Sequence, residues 1–269
     1  MKKRPIGIID VTFSGITILN NLKQAFQYEN FVYLNDIKNL PYEGKDVQVI
    51  LKYVKHNVEH LLQRYNIKAL IVISNTIIEY CEDYLNSLEI PVVYITKVII
   101  DYVNSNYESK NMVLCGLDYV LKASLYQKNL RYNHLNTIQT NKMEEVLQEN
   151  GIKTMKSFNI VNDSFKGIAN KEFDILIYTA PWIELLKTEL NEYVKVKDII
   201  KLGDIINDAV SKLNIDFYQK RNGKIILTST LLKKEYLPYI PWLDLKYKYK
   251  KAEIIYEQPQ PIQENNPRI

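Results

Sequence analysis

Two apolar runs in this chain end abruptly in small polar side chains. Residues 69–73 lead into Ser74, Asn75 and Thr76, and residues 175–178 lead into Thr179 and Ala180. An apolar run of this shape predicts a buried parallel strand whose carboxyl end faces a cleft. Hydroxyl and amide groups at such a place can bind a ligand, and a serine beside a base can act as a nucleophile.

The serine is the first candidate for chemistry. No histidine lies in a motif that would bring a base to Ser74, so we expect its hydroxyl to cap the helix that follows. Asp10 and Asp36 could form a carboxylate pair for acid and base catalysis. We favour the interpretation that these two acids belong to a cleft or hold turns by hydrogen bonds.

The stretch "HNVEH", residues 56–60, fits a zinc-binding pattern of some peptidases. Helical spacing places His56 and His60 opposite the apolar stripe of Val54, Val58 and Leu61, on the predicted solvent face. We therefore predict no metal site there. No motif indicates a cofactor.

Composition narrows the class of protein. The 269 residues carry 35 basic and 31 acidic side chains, a net charge of +4, and the basic residues are spread along the chain. This pattern does not indicate nucleic-acid binding.

Cys81 and Cys115 cannot form a disulfide framework, which favours the cytoplasm. The apolar segment at the start of the sequence resembles a signal peptide, but the charged residue Asp10 interrupts it. No apolar run approaches the roughly 20 residues of a membrane span, so we expect no membrane insertion.

Strand-like runs alternate with amphipathic helical patterns along most of the chain. This alternation predicts two doubly wound α/β domains with mainly parallel sheets. We expect residues 1–95 plus 210–245 to form the first domain and residues 96–209 the second. Residues 246–269 turn polar and contain prolines, which predicts a C-terminal tail without a core of its own.

Four segments in order resemble the glutamate racemases of the aspartate/glutamate racemase family, over most of the chain. They carry Asp10 with Gly15, then Asp36 with Pro41, Tyr42 and Lys45, then Asn75 with Thr76, and a last strand end at Thr179. The segments are "PIGIIDVTFSGITILNNL", "VYLNDIKNLPYEGKD", "LIVISNTI" and "DILIYTAPWIELL". The resemblance implies the two-domain fold of that family and a ligand cleft between the domains.

The chain departs from the family's pattern at the positions of the catalytic and substrate-binding residues. Ser74 and Ala180 stand where the resemblance places the two catalytic cysteines, and Pro181 and Trp182 replace a threonine and a histidine. In the second domain, Leu117, Tyr119 and Val120 replace a threonine-bearing substrate loop. The family's reaction uses one thiolate to remove an α-proton while a thiol returns one from the opposite face.

A serine and an alanine cannot replace this thiol pair, and neither Cys81 nor Cys115 has an opposing partner. The sequence therefore predicts a pseudoenzyme without racemase activity or catalytic residues, in which Asp10, Ser74, Ala180 and Trp182 are vestigial positions. The amino-acid composition suggests A+T-rich coding. An A+T-rich bacterium without a cell wall would have no need for D-glutamate, which would fit the predicted loss of racemase activity.

We expect such a chain to serve as a structural or interaction subunit of a larger protein assembly, with protein partners or a second copy of itself. Trp182 and Trp242 are candidate contact residues. A third possibility is regulatory binding to an enzyme such as a topoisomerase, and it is based only on analogy.

The alternative is a ligand-binding protein or an enzyme with altered chemistry. It would use a residual cleft formed by Asp10, Pro41, Tyr42, Asn75 and Thr76, with Cys115 as a further candidate. A surviving polar pocket favours this alternative, whereas Phe13, Tyr119 and Trp182 packed into the gap would oppose it.

Overall fold

The computed structural model describes residues 4–218, 222–236 and 245–254, and its strands form two parallel sheets. The strands are β1 Ile6–Asp10, β2 Phe31–Asn35, β3 Ala69–Val72, β4 Val92–Tyr94, β5 Lys110–Gly116, β6 Tyr132–Gln139, β7 Phe173–Tyr178, β8 Val196–Ile199, β9 Ile225–Ser229 and β10 Tyr247–Lys251. The first sheet has the order β10-β9-β2-β1-β3-β4 and the second the order β6-β5-β7-β8. Every pairing is parallel, which confirms the predicted fold class.

Helices connect the strands and cover the faces of both sheets. They are α1 Gly15–Ala25, α2 Val47–His60, α3 Asn75–Asn86, α4 Ile95–Tyr107, α5 Asp118–Ala123, α6 Leu125–Asn129, α7 Asn141–Gln148, α8 Met155–Phe165, α9 Lys187–Tyr193, α10 Leu202–Ser211 and α11 Lys233–Tyr236. Short 3₁₀ turns lie at Ile37–Asn39, Lys166–Ile168 and Pro181–Leu186, and α2 continues through a π-helical turn, Leu61–Tyr65.

The central strands of the first sheet are buried along their whole length. All residues of β1, β2 and β3 are buried, because helices on both faces leave no side of a parallel strand in water. This is why these strands appear in the sequence as continuous apolar runs rather than as an alternating pattern. Their polar residues are confined to the carboxyl ends, where Asp10 and Asn35 lie.

Part of the segment predicted as a polar tail instead forms a strand. Residues 247–251 make up β10, which pairs with β9. Tyr247 and Tyr249 are half-buried, while Lys248 and Lys250 are exposed, so the alternation of tyrosine and lysine matches the two faces of a strand. Trp242 and residues 255–269 lie outside the described residues. The exact domain limits stay a prediction.

The two sheets meet through the carboxyl ends of their strands. The Asn75 amide, at the start of α3, donates to the Thr179 carbonyl oxygen beyond β7 at 3.3 Å, so the two parts of the chain are in direct contact there. Within the described ranges, no helix is long and apolar enough to cross a membrane.

Candidate functional site

A small cavity of about 20 Å³ lies between the carboxyl ends of β1, β3, β5 and β7. This volume accommodates about one water molecule. Asp10, Ser74, Asn75, Glu144 and Ala180 are among its lining residues. The structure therefore brings together three of the four predicted vestigial positions, and it adds an acid from α7 that the sequence analysis did not select.

Asp10 holds the turn that follows β1. Its Oδ1 accepts a hydrogen bond from the Thr12 amide at 3.1 Å, and its Oδ2 accepts from the Gly15 amide at 2.9 Å and from the Tyr33 hydroxyl at 2.8 Å. Burial raises the pKa of this carboxyl, and the hydrogen bonds oppose the shift. A Cβ on Gly15 would lie 3.0 Å from Asp10 Oδ2, so this close packing favours glycine at the helix start.

Ser74 caps helix α3, as the sequence predicted. Its hydroxyl oxygen accepts a hydrogen bond from the Ile77 amide at 3.3 Å, and the side chain is buried. Ala180 lies at the matching position after β7 and is also buried. The two residues therefore line one cavity from different sheets.

Asn75 and Thr76 already have partners within the protein. Asn75 Oδ1 accepts hydrogen bonds from Thr96 Oγ1 at 2.8 Å and from the Tyr126 hydroxyl at 2.9 Å. The Thr76 hydroxyl donates to Glu43 Oε1 at 3.2 Å. The amide of Asn75 thus links the two parts of the chain, while the predicted ligand-binding role of both residues stays a prediction.

Pro41 and Tyr42 do not line the cavity. Pro41 is exposed, and the buried Tyr42 hydroxyl donates to Asp36 Oδ2 at 2.7 Å. Asn57 Nδ2 donates to the same carboxylate oxygen at 3.0 Å. This buried hydrogen-bond network fixes the loop after β2, and the loop reaches the cleft through the neighbouring Glu43 instead.

Of the three bulky residues expected to oppose ligand binding, two are buried in the protein interior and one lines the cavity. Phe13 and Trp182 are 4% and 3% exposed, and Tyr119 is half-buried on the cavity wall. The feature that separates the two predicted functions is therefore mixed, because bulky Tyr119 lines the cavity while polar side chains still line it as well.

Glu144 is the functional candidate that the sequence analysis missed. Its side chain is 6% exposed, and Oε1 has no hydrogen-bond partner. Burial raises the pKa of this carboxyl to about 8; proximity to Asp10 and Glu43 adds to the rise, and Trp182 lowers it. One sequence feature could have identified Glu144: it is an acidic residue on the otherwise apolar face of α7, together with Met143, Val146 and Leu147.

The two thiols are poor acid or base candidates. Burial raises the pKa of Cys81 to about 12, and it raises the pKa of Cys115 as well. Both side chains are buried. A thiol acts through its thiolate, so neither residue supplies a ready base near neutral pH.

The predicted solvent position of the two histidines is not observed. His56 and His60 are both half-buried, and His56 Nδ1 lies 2.7 Å from the Lys52 carbonyl oxygen. Among the described residues, no group of three or more His, Cys, Asp and Glu side chains is arranged to hold a metal ion.

The paired parallel sheets and the cleft between their strand ends define the two-domain racemase fold. No family model matches the sequence. The glutamate racemase of Thermus thermophilus superposes with a TM-score of 0.79 at 17% identity, covering 93% of this chain and 97% of that one. The glutamate racemase of Campylobacter jejuni gives 0.77 at 23% identity, with 91% and 100% covered.

Sequence comparison leads to the same group. The glutamate racemase of Clostridium acetobutylicum is 27% identical over 243 residues, which is 86% of this chain and 93% of that protein. The one from Buchnera aphidicola is 26% identical over 264 residues, 92% and 98% of the two chains. The resemblance to the glutamate racemases is therefore confirmed, in sequence and in fold.

These relatives correct one prediction. The prediction from Ser74 and Ala180 that the chain is not an enzyme is wrong. The curated relatives that match most of the chain are named as glutamate racemases, which are enzymes. Replacement of two residue types was too narrow a basis for that conclusion, because other acid and base groups, Glu144 among them, line the same cleft.

Proposed function

We propose that the protein binds a small polar ligand in the cleft between its two sheets and exchanges a proton with it through Glu144. Among the alternatives given under Sequence analysis, this proposal corresponds to an enzyme with altered chemistry that uses the residual cleft. The observation that carries the proposal is Glu144 Oε1, a buried carboxyl oxygen that lines the cavity without a hydrogen-bond partner.

A buried carboxyl oxygen without a hydrogen-bond partner is energetically unfavourable. A buried polar atom without a hydrogen bond costs about 1–3 kcal/mol, and more if the group is charged. Such a cost is retained at sites where it serves binding or catalysis. A ligand that bonds to Glu144 Oε1 would remove this cost, which supports binding at this point.

The pKa of Glu144 supports its use as an acid or a base. A group is most effective in proton transfer when its pKa is near the working pH, and the pKa of about 8 for Glu144 meets this condition. In the proposed exchange, the carboxylate takes the proton of a ligand C–H bond. The electron pair stays on the ligand carbon, and the carboxyl group then returns a proton to that carbon.

The cavity must enlarge before a ligand larger than water can enter. At about 20 Å³ it represents a closed arrangement. The contact between Asn75 and the Thr179 carbonyl is one of the hydrogen bonds that hold it closed. Opening of two such domains is a common way to admit a ligand.

The test combines binding with proton exchange. D-glutamate, L-glutamate, smaller amino acids, simple amines and simple amides are each added in H₂O, where NMR follows the protein amides near the cleft. The amino acids are also added in ²H₂O, where NMR follows their α-hydrogen. We expect amide shifts at residues 74–76 and in α7, with loss of the α-hydrogen signal of a bound ligand. Unchanged amides with every compound, including simple amines and amides, would refute binding.

Two variants make the test specific. Glu144→Gln removes the proton-transfer group and should abolish the exchange. Glu145→Gln changes the adjacent residue of α7, whose side chain is exposed, and should leave the exchange unchanged. Equal exchange rates in both variants would show that Glu144 does not carry the proton.

The second candidate function is an interaction subunit of a larger assembly, including self-association. The observation that favours it is the small volume of the cavity, about 20 Å³, because a space for about one water molecule leaves the outer surface as the place for contacts with a partner. Affinity purification of the tagged protein from its own cells, with partners counted by native mass spectrometry, tests this role. Stoichiometric partners would support it, and a monomer alone would contradict it.

A cytoplasmic location and the absence of nucleic-acid partners stay predictions. The even spread of basic residues along the sequence supports the latter.

A further inference from the structure

The cleft gathers carboxyl groups without a matching positive group. Asp10 and Glu144 line the cavity, and Glu43 lies beside it, hydrogen-bonded to Thr76. Asp10 and Glu43 are close enough to Glu144 to oppose its ionisation. Among the described residues that line the cavity, none is lysine, arginine or histidine.

Unpartnered polar atoms form a second, independent observation. Glu144 Oε1 and Thr179 Oγ1 both lack hydrogen-bond partners, and their residues, 6% and 1% exposed, both line the cavity. Both oxygens can accept a hydrogen bond. A ligand group with several donors and a positive charge satisfies the two atoms at once.

From these observations, and resting on the function proposed above, we infer that the cleft selects a small organic cation with a primary ammonium group. An ammonium group has three hydrogen-bond donors and no acceptor. It is about the size of a water molecule. It therefore fits the cavity, bonds to Glu144 and Thr179, and lies near the ring of Tyr119, which can also attract a cation.

The same charges disfavour an acidic ligand. A dicarboxylate would bring negative charge next to the carboxyl groups of Asp10, Glu43 and Glu144. Those of the three that are ionised would repel it strongly where water is excluded. Leu117 and Val120 on the second-domain side of the cavity offer no side-chain donor to a carboxylate. The expected ligands are therefore simple amines rather than dicarboxylic amino acids.

The experiment compares ligands that differ in charge. Methylammonium, acetamide and D-glutamate, each at matched ionic strength, are titrated into the full chain at pH 7, and NMR follows the amides of α7 and residues 74–76. We expect saturable shifts with methylammonium and an affinity at least about 10-fold weaker for the other two. Glu144→Gln should weaken methylammonium binding by about 10-fold or more, and Glu145→Gln should not.

A measurement on the unmodified protein guards against misfolding of the variant. Glu144 faces Asp10, Glu43, Tyr119 and Trp182 in the cleft, and its pKa of about 8 leaves it mostly protonated at pH 7. Binding of a cation should release close to one proton per ligand at pH 7 and almost none at pH 10. Calorimetry in two buffers with different ionisation enthalpies counts these protons.

Each outcome has a definite meaning. If methylammonium binds with proton release, the inference is supported. If D-glutamate or acetamide shifts the cleft amides and methylammonium does not, the cation inference is wrong while ligand binding in the cleft stands. If none of the three shifts these amides and no smaller amino acid does, the proposed function fails and the inference fails with it.

Discussion

The most informative single residue is Glu144. It lies in an apolar setting, and the pKa of its carboxyl group is raised to about 8, mainly by burial. Below about pH 4.5 the group is protonated in both the folded and the unfolded chain. As the pH rises to about 8, the unfolded chain loses this proton while the folded chain keeps it, so stability is lost over this range.

Glu144→Gln should therefore reduce the pH dependence of stability. Each pKa unit corresponds to about 1.4 kcal/mol, which sets an upper limit of about 5 kcal/mol for the loss. We expect the variant to gain stability relative to the native chain between pH 5 and pH 8.5. Urea unfolding at both pH values measures this, with Glu145→Gln as the control. Parallel pH profiles for all three proteins would contradict the buried-carboxyl assignment.

Asp10 is a structural residue as well as a cleft residue. Asp10→Ala removes an acceptor used by two backbone amides and the Tyr33 hydroxyl, and buried donors are left unpaired. We expect a loss of about 3 kcal/mol in the free energy of unfolding. Asp101→Ala, at an exposed position of α4, should change stability by less than about 0.5 kcal/mol. Similar losses in the two variants would contradict this role.

At the scale of elements, the site depends on helices that begin directly after strands. Helix α3 starts one residue after Ser74, and Ser74 Oγ accepts from the Ile77 amide. The same residue therefore ends the strand segment, caps the helix and lines the cavity. A polar side chain at this point has a stabilising role that is independent of any reaction.

Ser74→Ala should lower the free energy of unfolding by about 1 kcal/mol, the usual cost of a lost helix cap. The matched change is Ser87→Ala at the other end of α3, where the exposed hydroxyl bonds only to the Tyr84 carbonyl of its own helix. We expect a smaller effect there. Thermal or urea unfolding compares the two, and an equal or larger loss for Ser87→Ala would show that the cap contributes little.

At the scale of the whole molecule, Asn75 connects the two sheets. Its Oδ1 accepts from Thr96 and Tyr126, and its Nδ2 donates to the Thr179 carbonyl. Tyr126 and Thr179 belong to the part of the chain that forms the second sheet. The Asn75 side chain therefore contributes to the closed cleft through contacts with both parts.

Asn75→Ala should make the cleft open more often, because three hydrogen bonds are lost together. Hydrogen exchange of the lining segments around residues 74–76 and 179–180 should become at least about 10-fold faster, which corresponds to about 1.4 kcal/mol. Asn106→Ala, exposed on α4 and bonded only within its own helix, is the control. Unchanged exchange in Asn75→Ala would mean that other contacts hold the domains.

Much of the architecture could be predicted because it depends on local periodicity. Apolar runs identified the buried strands β1, β3 and β7, and helical spacing identified α1 and α2. The polar residues at strand ends predicted the place of the cleft, and a serine after a strand predicted the cap of α3. The strand β10 was missed because its alternating lysine and tyrosine residues are polar enough to resemble a solvated segment.

The sequence by itself determined the two parallel sheets and the location of the cleft, because each strand and its polar end are formed by consecutive residues. The resemblance to the glutamate racemases identified Asp10, Ser74, Asn75 and Ala180 as neighbours of the cleft. Only the tertiary structure decided that Glu144 lies in the same cavity, that the Tyr42 hydroxyl donates to Asp36, and that Phe13 and Trp182 are buried. These outcomes depend on how α7 and the loops pack across the two sheets, and packing between distant segments has no periodic signal in the sequence.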